Sequence, residues 1–206
     1  MILPAKIAIM TLHSIFEETS RRYPNNVAAT FNSGIAKEHT TYQDLDSRAS
    51  KVGEFLGILC EGQEVIAIYS KQSIGLVACI LGVLRCGSCF APVDLNWPPD
   101  MICKFLLKLK INLVLVDKEL LEPFQSISSH WNTSFPIESR VELITNRVLD
   151  ANGFILARKV FPFKGDRENK EPLDLAYIMQ TSGTTGEAKA VKVPHKCIVP
   201  NITDLR

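Results

Sequence analysis

No apolar run in the sequence approaches the ~18 residues that a membrane-spanning helix needs, so no membrane span is expected. The opening MILPAKIAIM has one lysine and only a short apolar patch. It lacks the longer apolar core and small-residue cleavage site of a secretory leader. Charge of one sign is missing too: 23 Lys and Arg stand against 22 Asp and Glu, a formal net charge of +1. That balance gives no electrostatic case for nucleic acid or an acidic membrane as partner. Cysteine is sparse, six in 206 residues, and Cys79, Cys86, Cys89 and Cys103 all lie in apolar, helix-like or strand-like contexts. There a free thiol acts as a small hydrophobe, which excludes a disulfide framework and points to a reducing, cytoplasmic compartment. Cys86 and Cys89 form a C-x-x-C, but no second such pair or H-x-x-x-H completes a zinc set. The two are expected to be reduced, metal-free and engaged in packing. Walker A and G-x-G-x-x-G loops are both absent, as is any repeat of fixed period. In a cytosolic chain the sequons at Asn132 and Asn201 are chance matches.

What is present is a globular composition, 46% hydrophobic, in a chain long enough to bury about 70% of its surface. Leu12, Ile15 and Phe16 predict an amphipathic helix over 11–22. NNVAATF reads as a strand. Thr41, three residues before Asp44, opens a helix whose apolar positions include Leu45, Ala49, Val52, Leu56 and Leu59. EVIAIYS, CFAPVD and INLVLVD read as strands, the first and last buried on both faces. Between them, SIGLVACILGVLRCG predicts a buried helix ended by Gly87, and PPDMICKFLLKLK one begun by prolines. Strand and helix thus alternate from about residue 27 to residue 117. This predicts an α/β fold with an open, doubly wound, mostly parallel sheet and flanking helices, its ligands at the carboxyl ends of strands. Residues 118–172 break the pattern. QSISSHWNTSF is polar, RVELITNRVLDANGFILARKV suggests two strands about a turn at DANG, and KGDRENKEP is charged. The region reads as an irregular surface insertion before the next core strand, DLAYIMQ.

The stretch after that strand carries the chemistry. In TSGTTGEAK, Gly183 and Gly186 let backbone N–H groups approach a ligand and form an anion-binding nest. Thr181, Ser182, Thr184 and Thr185 add hydroxyl donors, and Lys189 adds a positive charge able to reach a phosphate. A flexible linker is the bland alternative, but linkers seldom follow a buried strand with a lysine placed just beyond.

At these residues the chain resembles the adenylate-forming, or AMP-binding, superfamily of acyl-CoA synthetases, luciferases and peptide-synthetase adenylation domains. LAYIMQTSGTTGEAKA matches the phosphate-loop signature at Leu175, Ala176, Tyr177, Thr181 through Gly186, and Lys189. TTYQDLDSRASKVGEFL is similar to an early helix start, and LGVLRCGSCFAPVDLNWP to a later segment that includes Ala91, Pro92, Val93 and Asp94. VKVPHKCIVPNI looks most like members that activate an amino acid and pass it to a phosphopantetheine carrier. The usual Pro and Gly around the loop lysine are replaced by Ala188 and Ala190. The resemblance implies ATP-dependent activation of a small carboxylic or amino acid as an acyl-adenylate, then transfer to the thiol of CoA or of a phosphopantetheine carrier domain. It assigns the ATP phosphates to Thr181, Ser182, Gly183, Thr184, Thr185, Gly186 and Lys189, and leaves His195 structural or substrate-adjacent. The magnesium (Mg2+) ligand, adenine and ribose contacts and catalytic lysine are expected beyond Arg206, so no catalytic or metal residue is expected within the chain. On this reading Met10 begins the domain, residues 1–9 are a candidate extension, and 10–206 form part of the N-terminal adenylation domain. The alternative is a non-catalytic truncated product or interaction module.

Overall fold

The computed structural model describes residues 10–34, 36–60, 63–133, 140–160, 174–181 and 189–203. After the first helix, α1 (Leu12–Arg22), come β1 (Val27–Asn32) and β2 (Lys37–Thr41). They pair antiparallel in a small sheet of their own. The expected alternation therefore starts later than residue 27. It runs α2 (Tyr42–Leu59), β3 (Val65–Tyr69), α3 (Ile74–Arg85), β4 (Cys89–Pro92), α4 (Pro99–Lys108) and β5 (Leu113–Asp117).

Local chemistry sets these boundaries. The Thr11 and Ser14 side chains cap each other's backbone N–H groups at the start of α1. The Thr41 hydroxyl accepts from the Asp44 N–H at the start of α2, and Ser73 does the same for Leu76 at α3. At the other end of α3, Gly87 takes a positive φ of 79°. The Gly87 N–H then reaches the Leu84 carbonyl at 3.2 Å and the Ser88 N–H the Val83 carbonyl at 3.1 Å. These two bonds satisfy carbonyls the helix leaves open and turn the chain into β4.

A seven-stranded sheet organises the rest, in the order β6-β7-β5-β3-β4-β8-β9. Its central four strands, β5, β3, β4 and β8 (Leu175–Thr181), are parallel. From β3 the chain steps one way to β4 and then back past β3 to β5. Successive right-handed crossovers in opposite directions place their helices on opposite faces. The core shows this with period two. Ile66 and Ile68 pack with Val52, Leu56, Cys79 and Val83 of α2 and α3. Ala67 and Tyr69 pack with Ile102, Phe105, Leu106 and Phe124 on the other face.

Residues 118–133 and 140–160 are not an irregular insertion. They form α5 (Leu121–Thr133), β6 (Arg140–Ile144), the single turn α6 (Arg147–Asp150) and β7 (Phe154–Val160). Phe124, Ile127 and Trp131, spaced three and four apart on α5, are buried to 2% exposure or less. The polar residues between them face outward, and this concealed the helix. β7 pairs antiparallel with β5, and β6 with β7, extending the main sheet. The expected turn at DANG is α6 followed by Gly153 at φ 79°. Lys159 of β7 is buried, with its ammonium donating to the Trp131 carbonyl and lying 5.4 Å from the centre of that ring. Burial pushes this ammonium down to a pKa of about 8.

Candidate functional site

Brändén-type crevices in open α/β sheets form where parallel strands end, and here four strands end on one edge. β8 sits inside the sheet with Ala176 and Ile178 buried, and its Tyr177 ring lies 5.5 Å from Phe90 of β4. The next strand, β9 (Lys189–Pro194), turns back antiparallel to β8. Thr181 stands opposite Lys189, and Leu175 opposite Pro194. TSGTTGEAK is thus the connection of a β-hairpin whose two ends are held in register. β9 went unforeseen because Lys189, Lys192 and Pro194 interrupt any apolar run, and only pairing with β8 makes the segment extended. It also closes the side of β8 that would otherwise have been open.

Of the expected phosphate contacts, Thr181 ends β8 and exposed Lys189 begins β9. Ser182, Gly183, Thr184, Thr185 and Gly186 lie outside the described residues. The donor set suits a polyphosphate: the positions offer hydroxyls, N–H groups and one ammonium, and no carboxylate save Glu187. Among the described residues, no group of three or more His, Cys, Asp and Glu is gathered for a metal ion.

The hairpin base is tied to the body of the protein through His195, the first residue of α7 (His195–Thr203). The His195 N–H donates to the Asp174 carbonyl at 3.0 Å. Its Nδ1 accepts from the Leu12 N–H at 3.2 Å, which places the ring proton on Nε2. The His13 ring stands edge-on to it, 6.0 Å between centres. Burial lowers the His195 pKa, with Asp174 opposing. Burial also lowers that of His13; Glu17 opposes, while His195 and Arg85 add to the shift. His195 is therefore a neutral brace between the hairpin and α1.

Polar residues that sequence reasoning passed over share the sheet edge. The Ser70 hydroxyl, just after β3, donates to the Lys71 carbonyl and lies 3.4 Å from Asp117 Oδ2 at the end of β5. Lys71 pairs with Glu119 at 3.1 Å. Asp94, after β4, accepts from the Asn96 backbone at 2.9 Å and caps the turn into α4. The signal for them was available: YS, VD, VD and QTS each follow an apolar strand run.

An open α/β sheet with a hydroxyl- and glycine-rich hairpin at its carboxyl edge defines a nucleotide-handling type of architecture. The comparisons sharpen that class to a family. The AMP-binding enzyme profile matches residues 16–206, and the chain belongs to that family. It is 30% identical over 227 residues to the beta-alanine-activating enzyme of Mus musculus, covering 96% of this chain and 20% of that protein. It is 32% identical over 190 residues to tyrocidine synthase 3 of Brevibacillus parabrevis, covering 92% of this chain and 3% of that one. The chain thus spans about a fifth of the length of the beta-alanine-activating relatives it matches. Among solved structures, the N-terminal subdomain of Klebsiella oxytoca NpsA superposes with a TM-score of 0.63 at 23% identity, over 90% of this chain and 42% of that one. A fatty acyl-adenylate ligase from L. pneumophila, solved with acyl adenylate and pyrophosphate, gives 0.65 at 17% identity, over 100% and 34%. The fold is shared with these subdomains.

Proposed function

We propose that the chain is the N-terminal portion of an ATP-dependent ligase that activates a small carboxylic or amino acid as an acyl-adenylate. A thiol, of CoA or of a phosphopantetheine carrier domain, then receives the acyl group. The observation that carries this reading is the hairpin, with Thr181 and Lys189 in register at its neck and the glycine–hydroxyl connection at the carboxyl edge of a parallel sheet. Backbone and hydroxyl donors of 182–186 would bind the β- and γ-phosphates, and the Lys189 ammonium would offset the charge that builds as pyrophosphate leaves. Magnesium, when bound, neutralises phosphate charge, and its ligand is assigned outside residues 1–206. The names of the relatives favour an amino acid, beta-alanine first, delivered to a carrier thiol, with the protein working in the cytoplasm. The test is ATP–pyrophosphate exchange by the full-length protein across a panel of amino and carboxylic acids. Exchange stimulated by one acid class supports the reading, and exchange with none of them refutes it.

A further inference from the structure

The C-x-x-C spacing draws attention to Cys86 and Cys89, but the fold separates their roles. Cys89 begins β4 and is 1% exposed. Cys86, the C-cap of α3, instead meets Cys60, the C-cap of α2, and the two thiols hydrogen-bond to each other. Both are half-buried, 26 positions apart in sequence, and brought together only by the packing of α2 on α3. Cys86 also lines an open groove of about 550 Å³ bordered by His13, Glu17, Asp46, Ser50 and Arg85. The groove gives a small solute a route to the Cys86 sulfur. Arg85 does not supply a free charge there, because its guanidinium pairs with Asp46 and lies 3.1 Å from Glu17. Ser88 hydrogen-bonds to both thiols and its own hydroxyl accepts from the Glu64 N–H at 3.2 Å, fixing the pair from below.

We propose that Cys60 and Cys86 form a hydroperoxide-responsive dithiol, Cys86 attacking through the groove and Cys60 resolving the product into a disulfide. In the first step the Cys86 thiolate bonds to a peroxide oxygen and the O–O bond breaks. One hydroxide leaves, and the sulfur, oxidised by two electrons, becomes a sulfenic acid. In the second, the Cys60 sulfur bonds to the Cys86 sulfur and the S–O bond breaks. The departing hydroxide takes the Cys60 proton as water. Two thiols and one hydroperoxide thus give one disulfide, one water and one water or alcohol. Sulfurs already in hydrogen-bond contact need only a small approach to the ~2.0 Å of a disulfide. The Cys60 and Ser88 hydrogen bonds favour the Cys86 thiolate and hold its pKa down to about 6, whereas its position at the carboxyl end of α3 opposes this. Cys79, Cys89 and Cys103 are buried, and burial pushes their thiols up, so they do not compete.

The test uses the full chain, reduced and then exposed to hydrogen peroxide, with free thiols alkylated before non-reducing peptide mapping. The expected main product is a peptide linked through Cys60 and Cys86. Cys89→Ser leaves that link unchanged, while Cys60→Ser abolishes it and leaves a Cys86 sulfenic acid that dimedone traps. Recovery of both thiols in reduced form after peroxide overturns the proposal, as does oxidation confined to Cys197 or a Cys86–Cys89 link. The wild-type map alone decides this if a variant fails to fold.

Discussion

Gly82 permits the close contact of α2 and α3. A Cβ added there would lie 2.5 Å from Val52 Cγ1 and 3.1 Å from the Ala49 carbonyl. The neighbours would have to move, and overpacking of this kind costs about 1–3 kcal/mol. Gly82→Ala is expected to lower the urea midpoint of the full chain with an unchanged slope; an unchanged midpoint would show that the helices separate freely. His195 supplies a second test at this scale. Burial depresses its folded-state pKa below the ordinary value of 6.5, as it does for His13. The unfolded chain then binds more protons as pH falls through about 6.5, so this stability is present above that pH and lost below it. The urea midpoint should drop between pH 7.5 and pH 5, and His195→Gln should flatten that drop. An equal drop in wild type and variant would remove His195 from the account.

At the scale of elements, the helix α5 holds one side of the sheet through a fully buried indole. Trp131→Ala should cost about 3–5 kcal/mol, read as a shifted denaturation midpoint; a loss under about 1 kcal/mol would place Trp131 outside the core. This same helix marks where sequence reading stopped. β3, α3, α4 and β5 were legible because continuous apolar runs, a capping serine, a terminal glycine and leading prolines act locally. In α5 the apolar residues Phe124, Ile127 and Trp131 kept helical spacing but stood among serine, asparagine and histidine, residues that also favour loops. β9 and the separate β1–β2 sheet depend on partners chosen in three dimensions, which a local pattern does not encode. The candidate site divides the same way. Its loop was legible as chemistry, whereas the hairpin that presents it and the brace at His195 were not. Cys60 was missed because its partner is distant in sequence.

For the whole molecule, β9 is the last strand of the sheet, and Met179 and Val191, opposite each other in register, are both exposed. An edge with apolar side chains favours association. A polypeptide of residues 1–206 alone is expected to aggregate readily and to release no pyrophosphate in response to an acid. The hairpin is only one part of the ATP contacts that the family resemblance implies. Acid-dependent release above background from that polypeptide would overturn this expectation. The central claim is that TSGTTGEAK grips the ATP phosphates, and the most direct measurement compares ATP–pyrophosphate exchange in the full-length protein and its Lys189→Ala and Thr184→Val variants, each with the best acid. Loss of one transition-state contact is worth about 2–4 kcal/mol, so each variant should slow exchange by about 30- to 1000-fold. Exchange at the wild-type rate in both variants would contradict the assignment.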